Sequence, residues 1–373
     1  MFAKPLSTAP LKLGFLSPHN PYDRVAFSGT AWFAAQALEQ HAGINLRILG
    51  SHTPPRRFDR FLRRQPAPVD VSQLDMDGLD AVLGLVASPL LAELVKTDPK
   101  VPLFHFTDAT PAFLRDAYGW SIPKTADETE TQVATRASAT IYSSDAIARR
   151  AATDLDLPGL QPAVVPFGVN IDDLLEDCPS KPQLDRLKLL FIGLDWARKG
   201  GDIAIATLDQ LNADGCPAEL TIVGRCPERH RHHPAIVNAG FLNKTKAKNR
   251  TRLSALYRDA HLLLLPSRGD CTPMVIAEAM AHGTPVLATD TGGIAEQIGR
   301  GGAGRVLPPM ATPQEWAAAA CNMTRDRDGY ELMSDAAFDR SRTLFSWDQW
   351  ASSIHSLIQG ELAETPTQLR KIA

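Results

Sequence analysis

The stretch Leu262-Leu-Leu-Leu-Pro-Ser-Arg-Gly-Asp-Cys-Thr-Pro-Met-Val-Ile-Ala-Glu-Ala-Met-Ala-His-Gly283 decides how this chain folds. Four successive leucines are typical of a strand whose two faces are both covered by helices. Thr272 is predicted to cap the helix that follows. Pro273 is expected at its first position, where a missing N–H costs nothing. A strand, a loop and a helix in this order predict one repeat of an α/β protein with a parallel sheet.

The same alternation of short apolar runs and amphipathic stretches extends along the chain of 373 residues. The predicted strands are 13–16, 44–49, 81–86, 103–106, 140–142, 163–165, 187–192, 218–223, 237–241, 262–265, 286–288 and 305–307. Because this number of strands is large for one open sheet, we predict two doubly wound α/β domains with Rossmann-like architecture. Ligands of such domains bind at the carboxyl ends of the strands.

Acidic residues and prolines after Asn170 interrupt the periodic pattern and indicate a boundary. Ser346, followed by Gln349 three residues later, is a capping box that predicts the start of the last helix. The predicted organisation is an N-terminal domain (1–170), a linker (171–186), a C-terminal domain (187–345), a final helix (346–361) and a frayed tail (362–373).

Composition excludes several classes of protein. Apolar residues make up 44% and charged residues 22%, a balance that excludes a disordered or fibrous chain. The net charge of −3 argues against a nucleic-acid partner. Five scattered cysteines indicate neither a disulfide framework nor a zinc ribbon, and they fit a reducing compartment. No stretch reaches the ~20 apolar residues of a membrane span. We therefore expect a soluble, cytoplasmic protein.

Glu278 is a carboxylate on a helix that is otherwise apolar, so its burial requires a partner. Two interpretations stay open: a structural salt bridge, or a contact with a ligand at the helix N-terminus, where backbone N–H groups favour an anion. Asp270 lies in the loop at the mouth of the same helix.

Arg198 and Lys199 are adjacent cations that follow the predicted strand 187–192 and precede Gly200-Gly201. Two cations at a helix N-terminus repel each other, and a bound anion such as a diphosphate would relieve that repulsion. The alternative is that both side chains point into solvent.

These segments, with Gly283-Thr-Pro-Val-Leu-Ala-Thr-Asp-Thr-Gly-Gly-Ile-Ala-Glu296, resemble the retaining glycosyltransferases of family 4, the glycosyl transferases group 1. The family pattern is an acid, seven residues and a glutamate, here Asp270 and Glu278, followed by a Gly-Gly-x-x-Glu turn. The resemblance covers about 150 residues of the second half. It implies a GT-B fold, with two Rossmann-like domains facing across a cleft and a last helix that crosses back to the first domain.

The resemblance also implies a role for each matching residue. Glu278 would hold the ribose of a nucleoside-diphosphate sugar, and Arg198 and Lys199 its diphosphate. Asp270 would lie near the hydroxyls of the transferred sugar. The backbone of four residues would face the phosphates and the sugar: Cys271, Thr272, Pro273 and Met274.

The first half carries weaker signals. Gly29 lies where the family places a small-residue loop against the donor phosphates, although Ser28-Gly29-Thr30 is equally typical of a plain helix start. Many family members carry a histidine at the end of an N-domain strand, and the corresponding strand 81–87 has none. His105 alternates with phenylalanines and is predicted to be a core residue. Asp108, at the carboxyl end of strand 103–106, is with Asp270 our candidate catalytic residue.

The implied activity is transfer of a sugar from a nucleoside-diphosphate sugar to a glycan, a lipid-linked or a small-molecule acceptor. We expect a role in surface or exported glycans, with neither metal nor cofactor. A nucleotide-sugar epimerase and a catalytically degenerate nucleotide-sugar-binding protein are the alternatives. The arginine-rich segment Arg56–Arg64 is predicted to be a surface helix docked through phenylalanines. Its alternative is peripheral contact with anionic lipid at the inner face of the membrane.

Overall fold

A computed structural model describes residues 9–50 and 69–364 of the chain. The described residues form two compact units. The first unit includes the chain up to Asp116, Trp120–Gly168 and the residues from Ser346 onward. The second unit includes Ala117–Gly119 and Val169–Phe345.

The first unit is built on a parallel sheet in the order β2-β1-β3-β4-β5-β6. Its strands are β1 (Leu11–Leu16), β2 (Ile44–Ile48), β3 (Ala81–Leu85), β4 (Leu103–Thr107), β5 (Ala139–Tyr142) and β6 (Ala163–Val164). Its first helices are α1 (Thr30–Gln40), α2 (Ser88–Lys96), α3 (Pro111–Tyr118), α4 (Thr125–Arg136) and α5 (Asp145–Asp154). Every residue of β3 and β4 is buried, as expected for central strands covered by helices on both faces.

The second unit contains a parallel sheet in the order β12-β11-β10-β7-β8-β9. Its strands are β7 (Leu187–Gly193), β8 (Ala218–Gly224), β9 (Ile236–Gly240), β10 (Leu262–Leu265), β11 (Val286–Thr289) and β12 (Gly304–Leu307). Its helices are α6 (Gly201–Ala213), α7 (Ala247–Asp259), α8 (Met274–Met280), α9 (Ile294–Ile298), α10 (Pro313–Met323) and α11 (Arg327–Leu344). In chain order this is the 3-2-1-4-5-6 arrangement of a Rossmann sheet.

The last helix, α12 (Trp347–Glu364), belongs to the first unit and packs against α1. The hydroxyl of Ser346 accepts a hydrogen bond of 3.2 Å from the amide of Gln349, as the capping sequence predicts. The predicted end of this helix at residue 361 is wrong, because the helix continues to Glu364. None of the described helices is long and apolar enough to cross a membrane.

Residues 171–186, the predicted linker, cluster with the second unit. The buried ammonium group of Lys181 donates hydrogen bonds to the carbonyl oxygens of Tyr257 and Ala260 and to the hydroxyl of Thr284, at 3.1, 3.2 and 2.6 Å. A cation at these carbonyl groups caps the carboxyl end of α7. Lys181 therefore fixes this segment to the body of the second unit.

The predicted parallel α/β architecture is confirmed, and the predicted strands are all present with bounds shifted by at most two residues. All five cysteines are free thiols. The segment Arg56–Arg64, for which we predicted a surface helix or a lipid contact, lies outside the described residues, as does the tail from residue 365.

Candidate functional site

The topology of the second sheet places two loops side by side. Strands β7 and β10 are neighbours, with Leu189 paired to Leu262, and the strand order reverses between them. At such a switch point the loops that leave the carboxyl ends of the two strands diverge and leave a crevice, where ligands of α/β proteins bind. The loop after β7 carries Arg198 and Lys199, and the loop after β10 carries Asp270.

The two loops are in direct contact. The amide of Arg268 donates a hydrogen bond of 2.7 Å to the carbonyl oxygen of Arg198. Gly200 has a φ of +74°, and a Cβ atom there would lie 1.9 Å from the carbonyl oxygen of Pro266. Only glycine fits this backbone conformation and this approach. The sequence elements predicted to form one site are therefore brought together.

Asp270 joins the two cations in a buried cluster. Its Oδ1 accepts hydrogen bonds from Lys199 Nζ (2.9 Å) and Arg198 Nη1 (3.1 Å). Its Oδ2 accepts from Lys199 Nζ and from the hydroxyl of Ser267, both at 2.7 Å. Burial opposes ionisation of this carboxyl, but the charges of Lys199 and Arg198 outweigh burial and hold its pKa below the usual value.

This cluster changes the interpretation of Arg198 and Lys199. The sequence suggested that a bound diphosphate relieves their repulsion, or that both point into solvent. In the structure the side chain of Asp270 is the anion, and the cation side chains are only 17% and 13% exposed. The solvent-facing alternative is therefore wrong. Burial opposes the charge on Arg198, yet the neighbouring carboxylate of Asp270 raises the pKa of Arg198.

Glu278 is also paired. It is 1% exposed, and its carboxylate accepts hydrogen bonds from the ammonium of Lys244 and, at 2.9 Å, from the hydroxyl of Tyr257. Behind it, His282 donates from Nδ1 to the carbonyl oxygen of Glu278 at 2.8 Å and accepts at Nε2 from the hydroxyl of Ser254, also at 2.8 Å. The salt bridge that the sequence left open exists, and it does not exclude a ligand.

A cavity of about 210 Å³ adjoins Glu278. It opens between α7, α8 and the segment after Val169. The polar side chains that line it are Asn170, Asp172, Asp173, Lys244, Arg250, Thr251, Ser254, Tyr257, Glu278 and His282. Arg250 and Asp172 form an ion pair of 2.9 Å on its wall. A cavity with converging hydroxyl, amide and charged groups is suited to a polar small molecule.

The start of α8 differs from the prediction. Pro273, with extended backbone, is the N-cap residue and Met274 is the first helical residue, so Thr272 lies one position outside the cap. The predicted cap at Thr272 and first helical position at Pro273 are wrong by one residue. Cys271 donates its amide to the hydroxyl of Tyr118 (3.1 Å) and accepts from the amide of Gly293 (2.7 Å), so its peptide groups are already bonded.

The remaining predicted residues lie in the first unit. Gly29 is the N-cap of α1, with a φ of +91° and no side-chain cap. Asp108 directly follows β4 at its carboxyl end and is half-buried. Asp108 therefore lies at the edge of the sheet where ligands of such domains bind, whereas Gly29 lies at the start of the helix that follows β1.

His105 is a core residue. It is fully buried, and its Nε2 lies 2.7 Å from Glu130, which is itself 3% exposed. The glycine-rich residues 299–303 lie between α9 and β12 and open no helix. His233 pairs with Asp209 at 2.9 Å, and no group of three metal-ligating side chains occurs within residues 9–50 and 69–364.

Sequence reasoning missed three polar residues of this site: Ser267, Lys244 and Tyr257. Ser267 lies in the loop after β10, one residue after Pro266. Its place three residues before Asp270 was the signal that could have indicated a contact. Lys244 and Tyr257 carried no local signal, because their contact with Glu278 depends on how α7 packs beside α8.

Comparison with known proteins relates the second unit to a family of glycosyltransferases. Residues 186–326 match the family model described as glycosyl transferases group 1. This match covers most of the second unit and less than half of the chain. The D-inositol 3-phosphate glycosyltransferase of Corynebacterium glutamicum (strain R) is 33% identical over 113 residues, which are 30% of this chain and 27% of that protein. The chain thus matches about a quarter of that relative's length.

Solved structures resemble most of the chain in fold. A sucrose-phosphate synthase from Thermosynechococcus elongatus superposes with a TM-score of 0.72 at 16% identity, covering 95% of this chain and 100% of that one. Anabaena HepE in complex with UDP and glucose superposes with a TM-score of 0.62 at 15% identity, covering 94% and 100%. At this identity the likeness concerns the fold, which is GT-B, as the sequence resemblance implied.

Proposed function

We propose that the protein is a glycosyltransferase that moves a sugar from a nucleoside-diphosphate sugar to an acceptor. The observation that carries this proposal is the cluster of Arg198, Lys199 and Asp270 at the switch point of the second unit's sheet. It concentrates positive charge where the sheet topology opens a crevice, and a diphosphate is the anion with matching charge.

Charge develops on the diphosphate as the bond to the sugar breaks. The preorganised ammonium of Lys199 and guanidinium of Arg198 would stabilise that charge at no cost of reorganisation, because both side chains are already held by Asp270. Removal of water on binding strengthens such interactions and limits hydrolysis of the donor. The two cations take the role of a divalent ion, so we propose transfer that needs no metal and no cofactor.

The nucleoside end of the donor would occupy the cavity beside Glu278. A ribose presents two neighbouring hydroxyl groups, which the Glu278 carboxylate can accept as hydrogen-bond donors. HepE binds UDP, so a GT-B structure similar to this one accommodates a nucleoside diphosphate. This supports the donor class and leaves the base open.

The finer assignments rest on the family resemblance. We propose that transfer retains the anomeric configuration and that the first unit, with Gly29 at the start of α1 and Asp108 at the end of β4, binds a glycan, a lipid-linked or a small-molecule acceptor. A role in surface or exported polysaccharides, a cytoplasmic location and a peripheral membrane contact through Arg56–Arg64 belong to the same proposal. An anomeric proton coupling measured on the product would test retention.

A second candidate is a nucleotide-sugar-binding protein without catalysis. It is favoured by two features: the hydrogen-bonding capacity of Asp270 is used within the protein, and β3 ends without a histidine. Such a protein would bind the donor and turn over none with any acceptor. A nucleotide-sugar epimerase, in contrast, would convert the donor when no acceptor is present.

A thermal-shift screen of nucleoside diphosphates and their sugars tests the proposal first, since ligands that bind the folded state raise its melting temperature. We expect one base to give the largest shift and the matching sugar nucleotide to be consumed when acceptors are added. If no nucleoside diphosphate changes the melting temperature, the proposed function is wrong.

A further inference from the structure

Residues 237–258 form a segment that carries basic side chains and no acidic one. It runs from β9 through the following loop into α7. Its basic residues are Lys244, Lys246, Lys248, Arg250, Arg252 and Arg258. The next acid along the chain, Asp259, is already paired with Lys188 at 2.8 Å. Because the whole chain has a net charge of −3, this segment reverses the sign of the charge locally.

Two of the six cations serve the interior of the second unit. Lys244 pairs with the buried carboxylate of Glu278, and Arg250 pairs with Asp172 at 2.9 Å. The other four are exposed, and within residues 9–50 and 69–364 no acidic side chain forms an ion pair with them: Lys246, Lys248, Arg252 and Arg258. On α7 these exposed cations lie on the side opposite the buried Leu253 and Tyr257.

The exposed cations do not stabilise α7 itself. Lys246 is the N-cap residue of this helix and Lys248 lies in its first turn, which contains no acid. Cations at this end oppose the helix dipole. Lys248 and Arg252 are four residues apart, so their like charges repel each other on the helix surface. An anion outside the chain would offset both costs.

Exposed apolar side chains adjoin these cations in the sequence. Val237 on the edge strand β9 is 49% exposed, and Phe241, directly after that strand, is 56% exposed. Phe241 precedes Lys246 by five residues. Exposed aromatic and aliphatic groups beside lysines and arginines are typical of a surface that places its apolar groups among lipid headgroups and its cations against their phosphates. The negative net charge disfavours a nucleic acid as the partner.

We propose that this basic surface, formed by β9, the loop 241–246 and the outward side of α7, binds the anionic headgroups of a phospholipid bilayer. It lies in the second unit and is separate from the segment Arg56–Arg64. The inference goes beyond the proposed function and does not rest on it. Because the chain as a whole is acidic, an anionic bilayer attracts this surface and repels the acidic faces, which orients the protein on the membrane.

The experiment measures co-sedimentation of the full chain with phospholipid vesicles. One set contains phosphatidylcholine alone, and the other contains phosphatidylcholine mixed with phosphatidylglycerol. We expect the wild type to bind the anionic vesicles, to release them at high salt and to bind the neutral vesicles weakly. The double variant Lys248→Glu/Arg252→Glu should lose at least roughly 25-fold in affinity, since each basic residue near an anionic surface contributes about fivefold.

A matched control changes the same charge elsewhere on the second unit. Arg300 and Arg305 are exposed, and Arg305 lies on β12, the strand at the opposite edge of the sheet from β9. The variant Arg300→Glu/Arg305→Glu should bind the anionic vesicles within twofold of the wild type. Phe241→Ala should weaken vesicle binding about tenfold, because it removes an apolar group from the headgroup layer.

Loss of folding can be separated from loss of binding. A glutamate at position 248 lies near the start of α7, where a negative charge is favourable, so the charge-reversed variant should melt no lower than the wild type. The neutral variant Lys248→Gln/Arg252→Gln should lose part of the vesicle binding and keep the melting temperature. A nucleoside diphosphate should shift the melting temperature of every variant as it shifts that of the wild type, because none of these side chains lines the cavity beside Glu278.

The inference is supported if the wild type binds anionic vesicles, the reversal of charge on α7 removes that binding and the reversal beside β12 does not. It is overturned if the wild type does not bind these vesicles, or if the α7 variant loses less than fivefold. It is also overturned if a DNA or RNA duplex binds the wild type more tightly than the vesicles do and the same α7 variant loses that binding. None of these outcomes bears on the proposed glycosyl transfer, which the nucleotide measurements test separately.

Discussion

Lys199 and Asp270 are joined through both oxygens of the carboxylate, at 2.9 and 2.7 Å, although 71 positions separate them in the chain. Their contact links the loop after β7 to the loop after β10. Because the pair is buried, loss of Asp270 would leave the ammonium of Lys199 without its carboxylate. The positive part of the proposed donor site is therefore held in place without a ligand.

Replacing Lys199 tests the diphosphate assignment. We expect Lys199→Ala to lower kcat/KM about 100- to 1,000-fold, the loss typical of removing one preorganised group that stabilises developing charge. The variant should still fold, since Asp270 retains its hydrogen bonds with Arg198 and Ser267. Steady-state kinetics and circular dichroism would measure the two effects.

Lys188→Ala is the matched control for this experiment. Lys188 is a partly exposed lysine of the same unit that pairs with Asp259 at 2.8 Å. Its replacement should change kcat/KM by less than twofold. Near-normal turnover in Lys199→Ala would show that Lys199 does not serve the leaving diphosphate.

Replacing Glu278 tests the proposed ribose contact. Glu278→Gln should weaken binding of the nucleoside diphosphate about 10- to 100-fold, the cost of losing a hydrogen bond to a charged group. Pyrophosphate, which has no ribose, should bind the variant as it binds the wild type, and calorimetry would compare the two. Tyr257→Phe removes the hydroxyl that donates to Glu278 and keeps the carboxylate, so this variant should bind the nucleoside diphosphate more tightly than Glu278→Gln does, with an affinity closer to that of the wild type. Equal loss for both probes would assign Glu278 a structural role.

The pair of His105 and Glu130 should contribute to stability and leave nucleotide binding unchanged. His105→Ala leaves the buried side chain of Glu130 without this hydrogen-bond partner and should lower the free energy of unfolding by about 1–3 kcal/mol. Lys96→Ala, which breaks the exposed pair with Glu93, should cost less than about 1 kcal/mol. Urea titrations would compare them. Similar costs for the two variants would contradict the assigned role of His105.

Two buried histidines predict a loss of stability in acid. Burial lowers the pKa of His261 and of His282 from 6.5 to about 4, so both stay neutral in the folded state. The unfolded chain takes up these protons below about pH 6.5 and the folded chain does not, so stability falls as the pH drops from 6.5 to 4. Each histidine should cost roughly 3 kcal/mol by pH 4.

The variant His282→Gln would isolate one of these two contributions. Its amide can donate to the carbonyl oxygen of Glu278 and accept from Ser254, as the imidazole does, and it does not titrate. Thermal unfolding between pH 7.5 and 4.5 should show a shallower loss than in the wild type. If the melting temperatures of the variant and the wild type fall in parallel with pH, His282 has the same pKa in the folded and the unfolded state.

The parallel α/β architecture could be predicted from the sequence because it is set by local pattern. Apolar runs such as Leu262–Leu265, with helical periods between them, are a property of neighbouring residues. Arg198 and Asp270 each follow a predicted strand of the same parallel sheet. Because ligands bind at the carboxyl ends of such strands, both residues could be assigned to one site. Cap positions are less certain, because a helix start depends on hydrogen bonds of single residues, as the shift at Thr272 illustrates.

The partners of the charged residues could not be predicted. The sequence indicated that Arg198 and Lys199 need an anion, but its identity as Asp270 depends on which strands are neighbours. Glu278 was expected to require a partner when buried, yet Lys244 lies in the loop between β9 and α7, whose position no local pattern specifies. Side-chain contacts between distant segments follow from tertiary structure, and sequence periodicity does not contain them.

Two glycines limit how this enzyme candidate can be re-engineered. The missing side chain of Gly200 lets the loop after β7 lie against Pro266, and a Cβ atom at Gly292 would lie 2.0 Å from the carbonyl oxygen of Asp270. A mutant library that randomises these loops would consist mostly of clones in which the backbone is forced apart. Variation aimed at a new donor belongs instead on outward-facing side chains such as Leu194, which is 60% exposed and can change without disturbing either glycine.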